Sequence, residues 1–600
     1  MGKGLNNSTQ SDYEWIVQNG FGGVFTKYLA NADPAVVGRF FSEFSQVDGS
    51  ELLKHKKIRK ALLDDGLLAG SPSARQKNLV PVDIITIASQ ARSAGRDLEA
   101  GDGALRSGTI GALAFAGGSA TRFKDGLSAV AGALPRIPER MFTGMDAGAP
   151  KGCFPIGPVE GLSFFDTFAA MMLETGIRHK TLPAGLLMTS AVTEAGTRSW
   201  LARAGLWGLP KEALTVFVQG RNPRLDPDMD LVVAKDGSLV WAGDGHGGVY
   251  SALLKGGDGS LASNLQSSGI RHLVMFNIDN PASRPFSPNR LGRHVRSGAS
   301  FTISTVSRLS WDEPIGVPCF DAKSGVMEIV EYNVIDEAQA KKVDADGRLL
   351  FSAGNINVNI VDMTALRSDL EPTIYENKAV TVDGQKRLTS SIEYLNQHIT
   401  RKLKPADVEF FEVERDGFFM PTKNPIGPDS AVTTFHMLSR LFGNMLSDAG
   451  AKVAPGNGDE AGAYVELHPC VAMESGDCVR NGVGKGWTIG RGSRLYLCAV
   501  YAPDGKKGFA GKDVTICDGA SLLIRTERPY GNPAYDSARR TIKPEPQSAG
   551  KVFIGNGTKV LENVKVDITV SGDGECIIEN GRVFDRSITV SVKPGQKVML

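Results

Sequence analysis

Short apolar runs punctuated by glycine set the character of the middle of the chain. Thr109-Ile110-Gly111-Ala112-Leu113-Ala114-Phe115-Ala116 is a small and apolar run that stops at Gly117-Gly118. A run of that length ending in paired glycines predicts a buried strand entering a loop. Leu186-Leu187-Met188, Leu214-Thr215-Val216-Phe217-Val218 and Leu273-Val274-Met275-Phe276-Asn277-Ile278-Asp279 repeat the pattern, and helix-like stretches such as Phe164 to Met171 lie between them. Strands alternating with helices predict an α/β fold with a mixed, mostly parallel, Rossmann-like sheet covered on both faces. In such sheets ligands bind in the crevice outside the strands' carboxyl ends, so residues there carry the functional weight.

The two ends of the chain read differently. In residues 1–107 Asp33-Pro34 supplies an N-cap with proline at the first helical position, and Val37, Phe40, Phe41 and Phe44 recur at helical spacing. This predicts a helical N-terminal region with one buried face. In residues 431–600 a helix near Thr434 to Leu446 precedes glycine-punctuated β segments. A weak, irregularly spaced repeat runs through them: Ile489-Gly490-Arg491-Gly492, Ile516-Cys517-Asp518-Gly519, Ile554-Gly555-Asn556-Gly557 and Ile578-Glu579-Asn580-Gly581. Stacked short strands in a β-helix-like coil fit this pattern, and a small β-sandwich is the alternative. The expected organisation is therefore a helical region to 107, a catalytic domain over 108–430 and a β-rich domain from 431.

Composition narrows the function classes. With 67 basic and 66 acidic residues the formal charge is +1, so no global field recruits nucleic acid or an anionic membrane. No apolar run approaches the ~20 residues of a membrane span, and the N-terminus lacks a basic-then-apolar leader pattern, so a cytoplasmic location is expected. Seven cysteines, with no CxxC pair, argue against a disulfide framework and a cysteine-rich zinc site. The histidines show no metal-ligand spacing.

The informative chemistry lies at the first strand end. In Leu113-Ala114-Phe115-Ala116-Gly117-Gly118-Ser119-Ala120-Thr121-Arg122-Phe123 the paired glycines let backbone N–H groups approach an anion. Arg122 adds a planar donor fork, and Lys151 of Pro150-Lys151-Gly152 adds a point charge. This stretch resembles the signature loop of the UTP-dependent sugar-1-phosphate uridylyltransferases. Further similarities follow in that family's order: Met188-Thr189-Ser190, Val218-Gln219-Gly220, Asp244-Gly245-His246-Gly247-Gly248-Val249-Tyr250, Asn277-Ile278-Asp279-Asn280, Ile329-Val330-Glu331-Tyr332-Asn333, Ala353-Gly354-Asn355-Ile356-Asn357 and Pro421-Thr422-Lys423-Asn424. The UDP-N-acetylhexosamine and broad UDP-sugar pyrophosphorylases are the most similar branches.

The resemblance implies a nucleotidyltransferase-type central domain that makes a UDP-sugar and pyrophosphate from UTP and a hexose 1-phosphate. It assigns Arg122 and Lys151 to the leaving pyrophosphate, Lys423 to the reacting phosphates and Asp279 to Mg²⁺. Uracil would meet Ala116, Gly117, Gly118, Gln219 and Gly245; the sugar would meet His246, Glu331 and Asn355. Ala120 departs from the family's glycine, His246 replaces an asparagine, and Asp125 to Ala149 is an insertion, read as a flap or a plain surface excursion. The motifs together lean towards N-acetylglucosamine 1-phosphate over glucose 1-phosphate, whereas Gly-His-Gly and Glu-Tyr-Asn lean the other way. A catalytically silent nucleotide-sugar-binding or scaffold module is the alternative. Retention of Arg122, Lys151, Asp279 and Lys423 together counts against it.

Overall fold

The apolar runs form the sheet that their pattern predicts. A computed structural model describes residues 7–64, 78–118, 126, 129–130, 132–134, 149–456, 462–498 and 511–600. Its largest sheet has seven strands: β1 (Ile110–Phe115), β2 (Ala184–Thr189), β3 (Leu214–Val218), β4 (His272–Asn277), β5 (Phe301–Ser307), β6 (Ala353–Asp362) and β7 (Val408–Glu412). Their spatial order is β7-β5-β6-β4-β1-β2-β3. Only β6 runs against its neighbours; the β4-β1-β2-β3 block and the β7–β5 pair are parallel. Strand alternation distributes β1 between two cores, with Ala112 and Ala114 on one face and Leu113 and Phe115 on the other. All six residues of β1 are buried, which is why the run reads as continuously apolar.

The N-terminal helices are α1 (Asn7–Gln18), α2 (Pro34–Phe44) and α3 (Gly49–Asp64). The Asp33 carboxylate caps α2 by accepting from Ala35 N at 2.8 Å, and Phe40, Phe41 and Phe44 are buried. That apolar face packs against Leu225, Leu239, Ile374 and Ile392 from the middle of the chain. The region is not wholly helical: Leu79–Pro81 pairs antiparallel with Cys319–Asp321 at the edge of a three-stranded sheet, where proline's missing N–H costs no ladder bond. Helix α4 (Ala94–Arg106) follows, and α5 (Phe164–His179) covers the sheet with Phe164, Phe165, Phe168 and Met172.

The C-terminal segments begin with α6 (Ala431–Asp448), capped reciprocally by Ser430 and Thr433. Three ladders follow, and every pairing within them is parallel. Ile489 stands beside Ile516, so two apolar members of the repeat stack directly; the next place in that ladder is taken by Val560, outside the repeat, while Ile554 and Ile578 follow Phe553 and Ile577, register partners in another ladder. The polar member serves the turns: Asp518 accepts from Arg491 N, Asn556 from Lys512 N and Asn580 from Asn556 N, each at 2.8 Å. A sandwich of antiparallel strands is a different arrangement.

One carboxylate joins these ladders to the central sheet. Glu466, 2% exposed, accepts from the backbone N–H groups of Val159 at 2.7 Å, Glu160 at 2.5 Å and Gly161 and Leu162 at 3.2 Å. A Cβ on Gly157 would stand 2.0 Å from its Oε1, so only glycine leaves room. Arg494 donates to Val159 O at 2.9 Å, and Arg525 pairs with Glu160 at 2.6 Å. Glu466→Ala leaves two buried and two part-buried donors without their acceptor and is expected to destabilise the protein by about 2–4 kcal/mol. Glu466→Gln, which keeps a carbonyl acceptor, should cost less. Denaturant unfolding measures both; equal stability of Glu466→Ala and the parent chain would refute this role.

Candidate functional site

The carboxyl ends of β1, β2, β3 and β4 converge along one edge, and side chains stitch them together. Ala116 N donates to Met188 O and Gln219 N to Thr189 O, both at 2.8 Å, while Ser190 Oγ donates to Gly117 O at 2.9 Å. The Gln219 amide is lodged between two glycines. A Cβ on Gly117 would approach its Oε1 to 2.7 Å, and one on Gly243 would approach its Nε2 to 2.0 Å. The Gln219 side chain, from the end of β3, thus meets the 116–118 turn at the end of β1.

Lys151 lies beside it. Its N–H donates to Gly118 O at 3.2 Å, and its Nζ pairs with Asp279 Oδ2 at 2.6 Å. These side chains are 12% and 20% exposed, so the pair is largely screened from bulk water. Asp279 follows β4 directly. Its carbonyl accepts from Thr422 N at 2.9 Å, and the next residue, Asn280, donates to Phe418 O at 2.9 Å and accepts from Met420 N at 3.0 Å. Residues 418–422 are therefore sewn to the end of β4, and this brings the exposed Lys423 to the same edge. Arg122 and most of the 125–149 insertion lie outside the described residues.

The remaining candidates stand on the loops that flank this edge. Gly245 adopts φ +82°, and Asp244 and Gly247 exchange backbone bonds with Tyr394. Asn396 N donates to His246 Nδ1 at 3.1 Å, which places the ring proton on Nε2. The His246 ring, 5.5 Å from that of Phe115, is held neutral because burial depresses its pKa to about 4. Asn355 Oδ1 is occupied by Asn357 N at 2.9 Å, at a bulge in the β5–β6 pairing. Asn357, at φ +53°, donates to Asn277 Oδ1 at 3.0 Å and accepts from Asn359 at 3.2 Å. Glu331 is exposed, and its charge together with that of Glu393 helps raise the Tyr375 phenol to about 12, behind the larger effect of burial. Gly245 also abuts the Glu393 side chain, so Gly245, Glu393, Tyr375 and Glu331 border one region.

The residues that order the site were not singled out by sequence. Asn280 and Asp244 sit inside recognised motifs, yet nothing in their spacing signals a buried bracing role. Asp244 is 7% exposed and its Oδ1 has no hydrogen-bond partner. Burial pushes its carboxyl up to about 7. A folded-state pKa above the ordinary 3.8 means that the native protein holds the proton where the unfolded chain has released it. This group's contribution to stability therefore falls as pH rises from about 4 to about 7. Asp244→Asn should remove that fall, so its stability relative to the parent should increase across this window by roughly 1–4 kcal/mol. Thermal unfolding of both chains between pH 5 and 8 tests this; parallel profiles would contradict it.

Residues around Asp279 also bear on a metal. Among the described residues no three His, Cys, Asp or Glu side chains converge on it. A single carboxylate suits a hard cation that keeps water and takes its other ligands from phosphate oxygens.

Comparison with known proteins bears on the same region. A family model described as UTP--glucose-1-phosphate uridylyltransferase matches residues 140–426. UDP-N-acetylglucosamine diphosphorylase 1 of Arabidopsis thaliana is 29% identical over 314 residues, which are 48% of this chain and 61% of that protein. UDP-N-acetylglucosamine pyrophosphorylase of Saccharomyces cerevisiae is 27% identical over 338 residues, covering 52% of this chain and 69% of the yeast protein. The match thus spans about three fifths of the plant relative's length. Among solved structures, the uridine diphosphate N-acetylglucosamine pyrophosphorylase of Trypanosoma brucei superposes with a TM-score of 0.61 at 20% identity, over 80% of this chain and 95% of that one. That likeness is one of fold.

Proposed function

We propose that the chain is a UDP-sugar pyrophosphorylase, a uridylyltransferase making UDP-sugar and pyrophosphate from UTP and a hexose 1-phosphate. The observation that carries the reading is the meeting, at one sheet edge, of the Gln219 amide, the glycine turn and the Lys151–Asp279 pair. A phosphate oxygen of the sugar phosphate attacks the α-phosphorus of UTP in line, the bond to the β-phosphate oxygen breaks, and pyrophosphate departs. Such a step needs positioning and charge neutralisation more than covalent help.

In this scheme the 116–118 turn, Gln219 and Gly245 read uracil. A side-chain amide donates and accepts at once, which matches a uracil edge. Lys151 and Arg122 take the charge of the leaving pyrophosphate, and Lys423 neutralises the reacting phosphates. Asp279 would hold Mg²⁺ jointly with the phosphates; the cation supplies charge stabilisation to phosphoryl oxygens. His246, Glu331 and Asn355 would border the sugar. Since His246 Nδ1 already accepts from Asn396, the ring offers a ligand only the Nε2–H donor. That donor can meet an acetamido carbonyl or a hydroxyl oxygen; the preference for N-acetylglucosamine 1-phosphate over glucose 1-phosphate rests on the set of motifs and on the relatives named above. Among the described residues no helix is long and apolar enough to cross a membrane; a cytoplasmic enzyme fits the reading. The 1–107, 108–430 and 431–600 division goes with it, the last part being a β-helix-like coil built on the parallel ladders.

Pyrophosphate release with UTP, Mg²⁺ and a panel of hexose 1-phosphates is the direct test, and a folded chain inert with every sugar would favour the silent-module alternative. Asp279→Ala and Lys423→Ala should each lower kcat on the order of 10²-fold or more while weakening UTP binding far less. Near-full activity in either variant would show that the charges are misassigned. His246→Asn should change the ratio of kcat/KM for the two sugars; an unchanged ratio removes His246 from the sugar site. Gly243→Ala is the most selective probe of the base, because the new methyl strikes the flexible end of Gln219 rather than backbone. UTP should be preferred over ATP at least about tenfold in the parent chain, a preference this variant should erode while its melting temperature stays put. Undiminished preference for UTP would place uracil recognition elsewhere.

A further inference from the structure

Outside the strand-end site, three side chains meet in the first turns of the C-terminal ladders. His468 follows Tyr464–Leu467, and Cys498 follows Arg494–Leu497 in the next strand of the same parallel ladder. Leu467 and Leu497 are register partners, and His468 N donates to Leu497 O at 3.0 Å. Cys470, two residues past His468, turns back so that its N–H donates to His468 Nδ1 at 3.1 Å. A ring nitrogen of His468 and the sulfurs of Cys470 and Cys498 all lie within 4.8 Å of one another. The three residues are 0%, 1% and 0% exposed.

The sulfurs stand 3.9 Å apart, almost twice the length of a disulfide bond of about 2.05 Å. Two thiolates bound to one cation at about 2.3 Å are separated by roughly 3.8 Å in tetrahedral geometry and roughly 4.0 Å in trigonal geometry. The observed spacing falls between these values. His468 Nδ1 accepts from Cys470 N, so the ring proton sits on Nε2, a buried N–H without a hydrogen-bond partner beside the Trp207 ring at 4.4 Å, and the lone pair a cation would take is that of Nδ1.

We propose that His468, Cys470 and Cys498 form a binding site for one thiophilic d¹⁰ cation, Zn²⁺ or Cu(I). Two thiolates and an imidazole are soft and borderline donors, which disfavours Mg²⁺ and Ca²⁺. On binding, both S–H groups lose their protons to water and the two sulfurs donate electron pairs; His468 Nδ1 gives up the hydrogen bond from Cys470 N and donates its lone pair while the ring proton stays on Nε2, and no electron changes hands. Cu(I) accepts this trigonal set once Nδ1 is released from the Cys470 N–H. Zn²⁺ adds a fourth donor, for which the Thr526 carbonyl, 3.7 Å from Cys498 Sγ, is the neighbouring oxygen. The cation would rivet the first two rungs of the ladder to each other, behind the Trp207 segment of the central domain. It has no part in the phosphoryl-transfer site.

The test uses the full chain, reduced and purified without chelator, then incubated with Zn²⁺ or with Cu(I) and desalted. Metal analysis should give about one equivalent of one of the two cations, and the loaded protein should melt several degrees higher. Cys470→Ser/Cys498→Ser should retain less than about a tenth of an equivalent while keeping its overall fold by circular dichroism. Co²⁺ provides a readout that does not depend on how the variant folds: the wild-type chain should show a thiolate-to-cobalt charge-transfer band. Failure to retain either cation with no shift in melting temperature would overturn the proposal. So would equal retention by the folded double variant, or a Cys470–Cys498 disulfide in the isolated protein.

Discussion

A fully buried carboxylate is among the most expensive groups a protein can enclose, and Glu466 is enclosed on terms that determine much of the architecture. Burial raises its pKa, while the backbone N–H groups of Glu160, Val159 and Leu162 pull it back by solvating the anion. Those donors lie in a short loop immediately before the capping box of α5, formed by Ser163 and Asp166. The carboxylate can be satisfied only if the loop, the first turn of α5 and the first rungs of the C-terminal ladders adopt one mutual arrangement. Arg494 and Arg525 grip the same loop from the following strands. The ladders are thus fastened to the central sheet by directional bonds as well as by a shared apolar core.

The consequence reaches the candidate site through chain connectivity. Lys151 begins the segment whose other end is the Glu466-bound loop, and Phe154 and Ile156 between them are buried. With Gly118 O holding the Lys151 backbone at one end and Glu466 holding 159–162 at the other, the lysine has little freedom to drift from Asp279. Asn280 does the corresponding work for Lys423 by fixing residues 418–420 to the end of β4. Among the described residues the C-terminal ladders contribute none to the strand-end site, yet they brace one of its two described lysines.

Local signals explain what could be read in the sequence. The strands β1 to β4 are legible because each is an apolar run ended by a turn, and α2 because Asp33-Pro34 begins a helical stripe of aromatics. The reversed strand β6 carries the motif Ala353-Gly354-Asn355, but nothing local gives its direction, which depends on pairing with β4 and β5. The edge strand Leu79–Pro81 is too short and too exposed to announce itself against a helical background. At the site, glycines, Gln219, Lys151 and Asp279 were accessible through motif order. Asp244 and Asn280 were not, because a buried bracing group is defined by neighbours distant in the chain. The His468–Cys470–Cys498 cluster illustrates the same limit: 28 residues separate the two cysteines, and only the parallel ladder closes that interval.

On the proposed reading, the Lys151–Asp279 pair lets one edge serve both a triphosphate and a cation. Two opposite charges at 2.6 Å, mostly out of water, neutralise each other, so neither leaves an uncompensated charge in a desolvated place. A ligand that brings phosphate oxygens offers Lys151 a replacement anion, and a divalent cation arriving with it offers Asp279 a replacement positive charge. Either exchange alone would strand one member of the pair without its partner; both together keep every charge balanced. On the proposed reading the pair therefore favours entry of the metal and the nucleotide as one neutralised unit.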